Sequence, residues 1–266
     1  AHVPDPSKSE NLRPLRRRVL KENADIGFAY DGDADRTVAV LPDGSPVDGS
    51  QMIAALTDHL FREEPSALCA VSMTASRRVL NFLDGNWQTP LIVPVGHAKV
   101  KRVMHERPEV DFAGEESGHY FYRDFFCCES SLITTLHLLQ MAREDRLVRL
   151  LRDLPTAWAR PDPEPAYRFE EPETARNACN RAAIRALKIF PDPLEIMCER
   201  NWKIHRHCEV DDIEKASGVR VDYRDWWFAV RPSGTEPLAR LTGEARTQKQ
   251  LSARINAIGE FFERPR

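Results

Sequence analysis

The spacing of apolar positions changes along the chain, and each change predicts an element. Between Leu12 and Lys21 apolar residues recur at helical spacing on a basic background, which predicts an amphipathic helix. The next stretch, ADIGFAYDGDADRTVAVLPDG, reads as strand, acidic loop and strand, with Pro42-Asp43-Gly44 as the turn. From 48 to 150 the rhythm is strand then helix. ALCAVSM (67–73) precedes a helix from Ser76 to Leu83, and PLIVPV (90–95) precedes one from His97 to His105. DFAG (111–114) is a short third strand, and a further helix runs from Leu132 to Met141. Strands alternating with helices of this length predict βαβ crossovers and a parallel sheet.

PTAWARPDPEPAYRFEEPE then carries Pro155, Pro161, Pro163, Pro165 and Pro172, a density that excludes a helix or a central strand and predicts a linker. Beyond it come a helix (174–188), the strands GVRVDY, WWFAVR and LARLTGEA, and a closing helix from Gln248 to Phe262. The expected fold class is therefore α/β: a parallel-sheet βαβ domain followed by a smaller α+β domain with an antiparallel sheet. Alternation places Trp226 and Trp227 on opposite faces of one strand, as core residues.

Composition narrows the function. A chain of 266 residues suggests about two domains. The formal net charge of −3 argues against a polyanion binder that works through a basic surface, so no nucleic-acid partner is expected. No apolar run of about 20 residues exists to span a membrane. The first ten residues, AHVPDPSKSE, lack the apolar core of a signal peptide, and a cytoplasmic location is expected. They also lack an initiator Met, which suggests a chain cut from something longer. The spacings of Cys69, Cys127, Cys128, Cys179, Cys198 and Cys208 match no disulfide framework. Cys127, Cys128, Cys198, His205, His207 and Cys208 are conceivable zinc ligands, but no CxxC pair supports that reading.

Three loops carry candidate chemistry. In DGDADR, Asp31, Asp33 and Asp35 stand at i, i+2 and i+4 in a tight turn, where three carboxylates can converge and repel unless a cation sits among them. All-oxygen ligation favours a hard ion such as Mg2+. Arg36 follows at once and can bind a phosphate drawn to the same ion. The plain alternative is a solvated acidic turn. An EF-hand fails because Arg36 and Pro42 occupy the positions that need Gly and Glu. A haloacid-dehalogenase-type nucleophile loop offers no role for the other two motifs.

The second loop, Gly114-Glu115-Glu116-Ser117-Gly118-His119, follows DFAG at a strand's carboxyl end, where ligands bind in parallel sheets. Its carboxylates and hydroxyl suit the vicinal diols of a sugar, although an ordinary polar turn has the same composition. In the third, Arg231-Pro232-Ser233-Gly234-Thr235-Glu236-Pro237, Arg231 supplies a planar fork for phosphate, Ser233 and Thr235 supply hydroxyls, and Gly234 permits a turn whose N–H groups form an anion nest. A simple Pro/Gly hairpin is the alternative.

DGDADR, GHAKVK, GEESGHYFYRDF and RPSGTEP, in that order, resemble the successive active-site loops of the α-D-phosphohexomutases, and PDPSKSENL resembles the family's stretch before its metal loop. The resemblance implies four-domain relatives. Residues 1–47 correspond to the tail of domain two, 48–150 to domain three and 151–266 to domain four. The family's phosphoserine lies in a domain-one loop of the type T-A-S-H-N-P. The superficial echo at Met73-Thr74-Ala75-Ser76-Arg77-Arg78 lacks His-Asn-Pro and lies after the metal loop, so Ser76 is not assigned as nucleophile. Serine-bearing amino-terminal domains are expected upstream.

Carried over by resemblance, Asp31, Asp33 and Asp35 are Mg2+ ligands and Arg36 lies beside the transferring phosphoryl group. His97 and Lys101 match the family's GHxxxK segment. Glu115, Ser117 and His119 hold the sugar, and Arg231, Ser233, Gly234 and Thr235 grip the phosphate not being transferred. The implied activity interconverts hexose 1- and 6-phosphates through a phosphoserine and a bisphosphate intermediate, with a hexose 1,6-bisphosphate as activator. HYFYRDF favours a phosphomannomutase, with phosphoglucomutase specificity as the alternative. Many members carry a lysine near the end of the first domain-three strand, where this chain has Ser72-Met73. A non-catalytic sugar-phosphate-binding homologue and a metal-dependent phosphatase are the rival functions.

Overall fold

The computed structural model describes residues 4–62, 64, 66–155 and 157–263. Two compact units divide the chain at Thr156/Ala157. The first opens with helix α1 (Arg13–Glu22), whose Pro14 lies in the first turn, where its missing N–H has no helical partner to lose. Strands β1 (Gly27–Tyr30) and β2 (Thr37–Val40) pair antiparallel on either side of the acidic loop, and the chain turns again between Leu41 and Gly44.

Helix α2 (Gly49–Phe61) follows, closed at its start by a capping box between Asp48 and Gln51. Then come β3 (Leu68–Ser72), α3 (Arg77–Asn86), β4 (Leu91–Val93), α4 (His97–Glu106), β5 (Val110–Gly114), β6 (Tyr120–Tyr122), β7 (Cys128–Glu129), α5 (Ser131–Arg143) and α6 (Arg146–Asp153). These strands form one sheet in the order β4-β3-β5-β6-β7. The expected parallel core is present in β4, β3 and β5. The sheet is nevertheless mixed, because β6 turns back antiparallel on β5 and β7 on β6. That hairpin makes the GEESGH segment a tight turn between neighbouring strands rather than the start of a crossover. Met52, Ile53 and Leu56 of α2 pack with Phe112 and Tyr122 in one cluster, while Val100 and Met104 of α4 pack with Ala70, Ala113 and Phe121 in another.

Gly49 begins α2 against the GEESGH turn. A Cβ there would lie 2.3 Å from the Glu116 carbonyl oxygen and 2.7 Å from its Cα, backbone atoms that cannot swing aside. Gly49→Ala should therefore lower unfolding free energy by about 1–3 kcal/mol, as overpacked sites do. Urea unfolding checks this, and a loss below about 0.5 kcal/mol, the range of neutral surface changes, would contradict it.

The second unit contains β8 (Ala166–Arg168), α7 (Pro172–Ile189), β9 (Glu195–Arg200), β10 (Lys203–His205), the short helix α8 (Val210–Ile213), β11 (Val219–Asp222), β12 (Trp226–Pro232), β13 (Leu238–Ala245) and α9 (Gln248–Glu263). Its sheet runs β10-β9-β11-β12-β13-β8, with every pairing antiparallel. The proline-rich segment supplies β8, an edge strand, the place in a sheet that tolerates nearby prolines. Ala178, Ala182 and Ala186 of α7 pack with Val219, Val221, Phe228 and Val230, joined by Leu251, Ile255 and Ile258 of α9. Trp226 shares this layer, stacked at 4.4 Å on Tyr223. Trp227 faces the other way, beneath the Arg220 guanidinium at 3.9 Å, with its indole N–H donated to Glu244. Among the described residues, no helix is long and apolar enough to cross a membrane.

Candidate active site

In the first unit the acidic loop gathers Asp31, Asp33 and Asp35 so that one oxygen of each lies within 4.8 Å of the others. The chain reverses at Ala34, whose φ of +58° costs an L-residue about 1–2 kcal/mol. Asp31 is buried and fixed by Arg36, which donates its backbone N–H to Oδ1 at 3.1 Å and its Nε–H to Oδ2 at 2.5 Å. Burial would raise the Asp31 pKa, but these donors hold it below the ordinary value. Asp35 behaves oppositely. Burial, a hydrogen bond shared with Asp31 and the charges of Asp31 and Asp33 push its pKa up against the pull of His119.

Among the described residues, the buried Asp35 Oδ1 has no hydrogen-bond partner, and the Arg36 Nε lies 3.9 Å away. An orphaned carboxylate oxygen in a crowd of like charges fits a hard divalent cation. Asp31, Asp33 and Asp35 are the residues that would hold it. Among the described residues this is the one such group, and His205, His207, Cys198 and Cys208 form none with the other cysteines. All six cysteines are free.

The GEESGH turn is stitched to the acidic loop. Thr37 N–H donates to the Gly118 carbonyl at 3.1 Å, and Gly118 adopts φ +101°, a conformation that favours glycine. His119 Nε2 lies 3.3 Å from Asp35, while its Nδ1 faces Ser117 Oγ at 2.9 Å and Glu115 at 3.3 Å. Burial lowers the His119 pKa, but Glu115 and Asp35 outweigh it and raise the value. Glu115 is itself buried and aimed by the Gly96 N–H, which donates to its Oε1 at 2.8 Å. Thus Asp31, Asp33, Asp35, Arg36, Glu115, Ser117 and His119 form one constellation.

His97 and Lys101 stand on α4 and converge on Glu129 of β7, at 3.4 Å and 2.7 Å. Burial opposes ionisation of Glu129, yet Lys101 and His97 hold its pKa low. Glu129 carries no signal in the sequence, and Glu116, one of the two loop carboxylates expected to suit a sugar diol, is engaged elsewhere. Glu116 Oε1 accepts from Ser76 N–H at 2.8 Å and from the Ser50 hydroxyl at 2.6 Å, tying the turn to α2 and α3. Ser76 is buried, and its hydroxyl caps α3 by accepting from Arg78 N–H. Ser72, at the end of β3 where many relatives are expected to carry a lysine, is buried and bonded to Thr74.

In the second unit, Arg231 lies in β12, with Ser233, Gly234 and Thr235 in the turn before β13. Ser233 N–H is used by the Leu238 carbonyl at 2.7 Å. Gly234 differs from expectation. Its φ is not left-handed, and a Cβ there would meet nothing within 4 Å, so the turn does not demand a glycine. Arg231 is paired across the strands with Arg240, a neighbour the sequence reading left out.

The phosphoglucomutase/phosphomannomutase family models match successive stretches: alpha/beta/alpha domain II over 1–44, alpha/beta/alpha domain III over 48–157, and the C-terminal domain over 174–258. The chain belongs to the α-D-phosphohexomutase family. It is 28% identical to a phosphomannomutase/phosphoglucomutase of Pseudomonas aeruginosa over 97% of this chain and 51% of that protein. A solved phosphoglucomutase/phosphomannomutase family protein from Burkholderia thailandensis superposes with a TM-score of 0.75 at 26% identity, over 98% of this chain and 51% of that one. The N-acetylphosphoglucosamine mutase of Aspergillus fumigatus, solved with GlcNAc-6P and magnesium, shares the fold at a TM-score of 0.57 and 13% identity, over 88% of this chain and 51% of that one. The chain spans about half the length of the curated relatives it matches.

Proposed function

We propose that this phosphohexomutase chain supplies the metal, sugar and distal-phosphate sites of an enzyme interconverting hexose 1- and 6-phosphates, with mannose phosphate the preferred substrate. The observation that carries the reading is the joining of the acidic loop to the GEESGH turn through Thr37–Gly118 and Asp35–His119. Mg2+ bound by Asp31, Asp33 and Asp35 would supply charge neutralisation for a phosphoryl group. Arg36, held in place by Asp31 and by Asp5 at 3.6 Å, presents a guanidinium to the same group. Glu115 and Ser117 orient the sugar through its hydroxyls, and their fixed partners keep them in one geometry. Lys101, with His97 beside it and Glu129 behind both, stands ready to move a proton at the attacking hydroxyl. Arg231, Ser233 and Thr235 hold the phosphate that stays on the sugar.

The covalent carrier in this reading is a phosphoserine on further domains, and a hexose 1,6-bisphosphate serves as activator. Ser76 does not fit that role, since its hydroxyl is buried and engaged as a cap. Free cysteines throughout suit a reducing, cytoplasmic location. The purified 266-residue chain, with Mg2+ and the bisphosphate, should show no mutase turnover in a coupled assay. The same residues within a polypeptide bearing the serine domains should turn over. Turnover by the short chain that Ser76→Ala abolishes would overturn this assignment.

A further inference from the structure

Arg231 and Arg240 face each other directly across β12 and β13, so two guanidinium groups stand on one side of the sheet where like charges repel. Glu164, from the segment before β8, sets one carboxylate oxygen against both. Its Oε2 lies 3.7 Å from Arg231 Nη2 and 3.4 Å from Arg240 Nη1. Among the described residues, the buried Arg231 Nε has no hydrogen-bond partner. One carboxylate against two arginines leaves this trio a positive charge in excess and at least one donor unused. A phosphate dianion supplies the missing negative charge and several acceptor oxygens, which a second carboxylate matches less well.

We propose that Glu164 is a resident counter-anion of the phosphate loop: it steadies Arg231 and Arg240 in the empty protein and yields them to the ligand's phosphate. This rests on the reading of RPSGTEP as a phosphate loop. Because Glu164 is tethered, it competes at high effective concentration. Weakly binding monoanions then fail to displace it, while a dianion succeeds at some loss of affinity. The residue therefore tunes the loop toward phosphorylated ligands and keeps their hold loose enough for release.

The test is calorimetric titration of inorganic phosphate into the unsubstituted chain and into Glu164→Gln, Glu164→Ala and Arg231→Ala, with circular dichroism to confirm folding. Removing one partly exposed ion-pair partner should tighten phosphate binding about two- to fivefold in both Glu164 variants. Arg231→Ala should lose binding. If Arg231→Ala loses binding while both Glu164 variants bind phosphate equally or more weakly, Glu164 is a positioning residue and the counter-anion proposal is overturned with the loop reading intact. Phosphate binding that ignores Arg231→Ala, or that the unsubstituted chain lacks, overturns the loop reading itself. Should Glu164→Gln fail to fold, Glu164→Ala decides alone, and the reverse.

Discussion

Asp33→Asn will weaken Mg2+ binding by about tenfold or more while leaving the fold intact. Asp33 is exposed, so the substitution opens no cavity and strands no buried group. Its carboxylate is one of three whose oxygens converge, and a unit charge about 4 Å from another is worth about 1–4 kcal/mol between bulk water and a protein surface, more against a divalent ion. The metal-free protein should respond differently. Removing one of three mutually repelling charges should leave its unfolding midpoint unchanged or slightly raised. Calorimetry with Mg2+ and thermal unfolding without it check the two halves separately. Unchanged Mg2+ affinity would contradict the metal assignment. A large loss of metal-free stability would show instead that Asp33 is a structural residue.

Arg231→Ala will weaken binding of a hexose phosphate far more than binding of the unphosphorylated hexose. Arg231 stands in β12, and among the described residues its buried Nε has no hydrogen-bond partner and its nearest ion-pair partner is Glu164 at 3.7 Å. A guanidinium so poorly satisfied gains charge-assisted hydrogen bonds when a phosphate arrives, each worth about 1.5–3 kcal/mol, or about 10- to 100-fold in affinity. The unphosphorylated sugar offers it nothing comparable. Equal losses for the two ligands, measured by competition titration, would assign Arg231 a structural role.

Most elements with a clear period were legible from sequence, but α6, whose Leu147 and Leu151 bury one face of a short helix, was not among the expected elements. Helices α1, α3, α4, α5, α7 and α9 lie within two or three residues of their expected ends; α5 is legible from its apolar content, since Leu132, Leu136 and Leu139 are exposed while Leu138 and Met141 are buried. Helix α2 escaped notice because it is apolar nearly all round: Met52, Ile53, Ala54, Ala55 and Leu56 are all fully buried. Strands β6 and β7 span three and two residues, too short to show alternation, and they turned an expected parallel sheet into a mixed one.

The site residues named from sequence lie in four short motifs, where adjacent chemistry is visible. The residues it omitted act across long separations. Glu129 lies 28 positions from Lys101, and Glu164 lies 76 from Arg240. No local pattern marks such a pairing. Arg240 was the one with a signal, since it mirrors Arg231 across a hairpin.

In the proposed function the acidic loop is a divalent-metal site adjoining the sugar turn. The most direct measurement is anomalous diffraction from crystals of the chain soaked with Mn2+, a redox-stable reporter for Mg2+ with similar oxygen ligation. The account predicts one dominant anomalous peak bounded by Asp31, Asp33 and Asp35, absent in Asp33→Asn crystals grown alike. Dominant manganese binding elsewhere, with no peak among these three carboxylates, would contradict it.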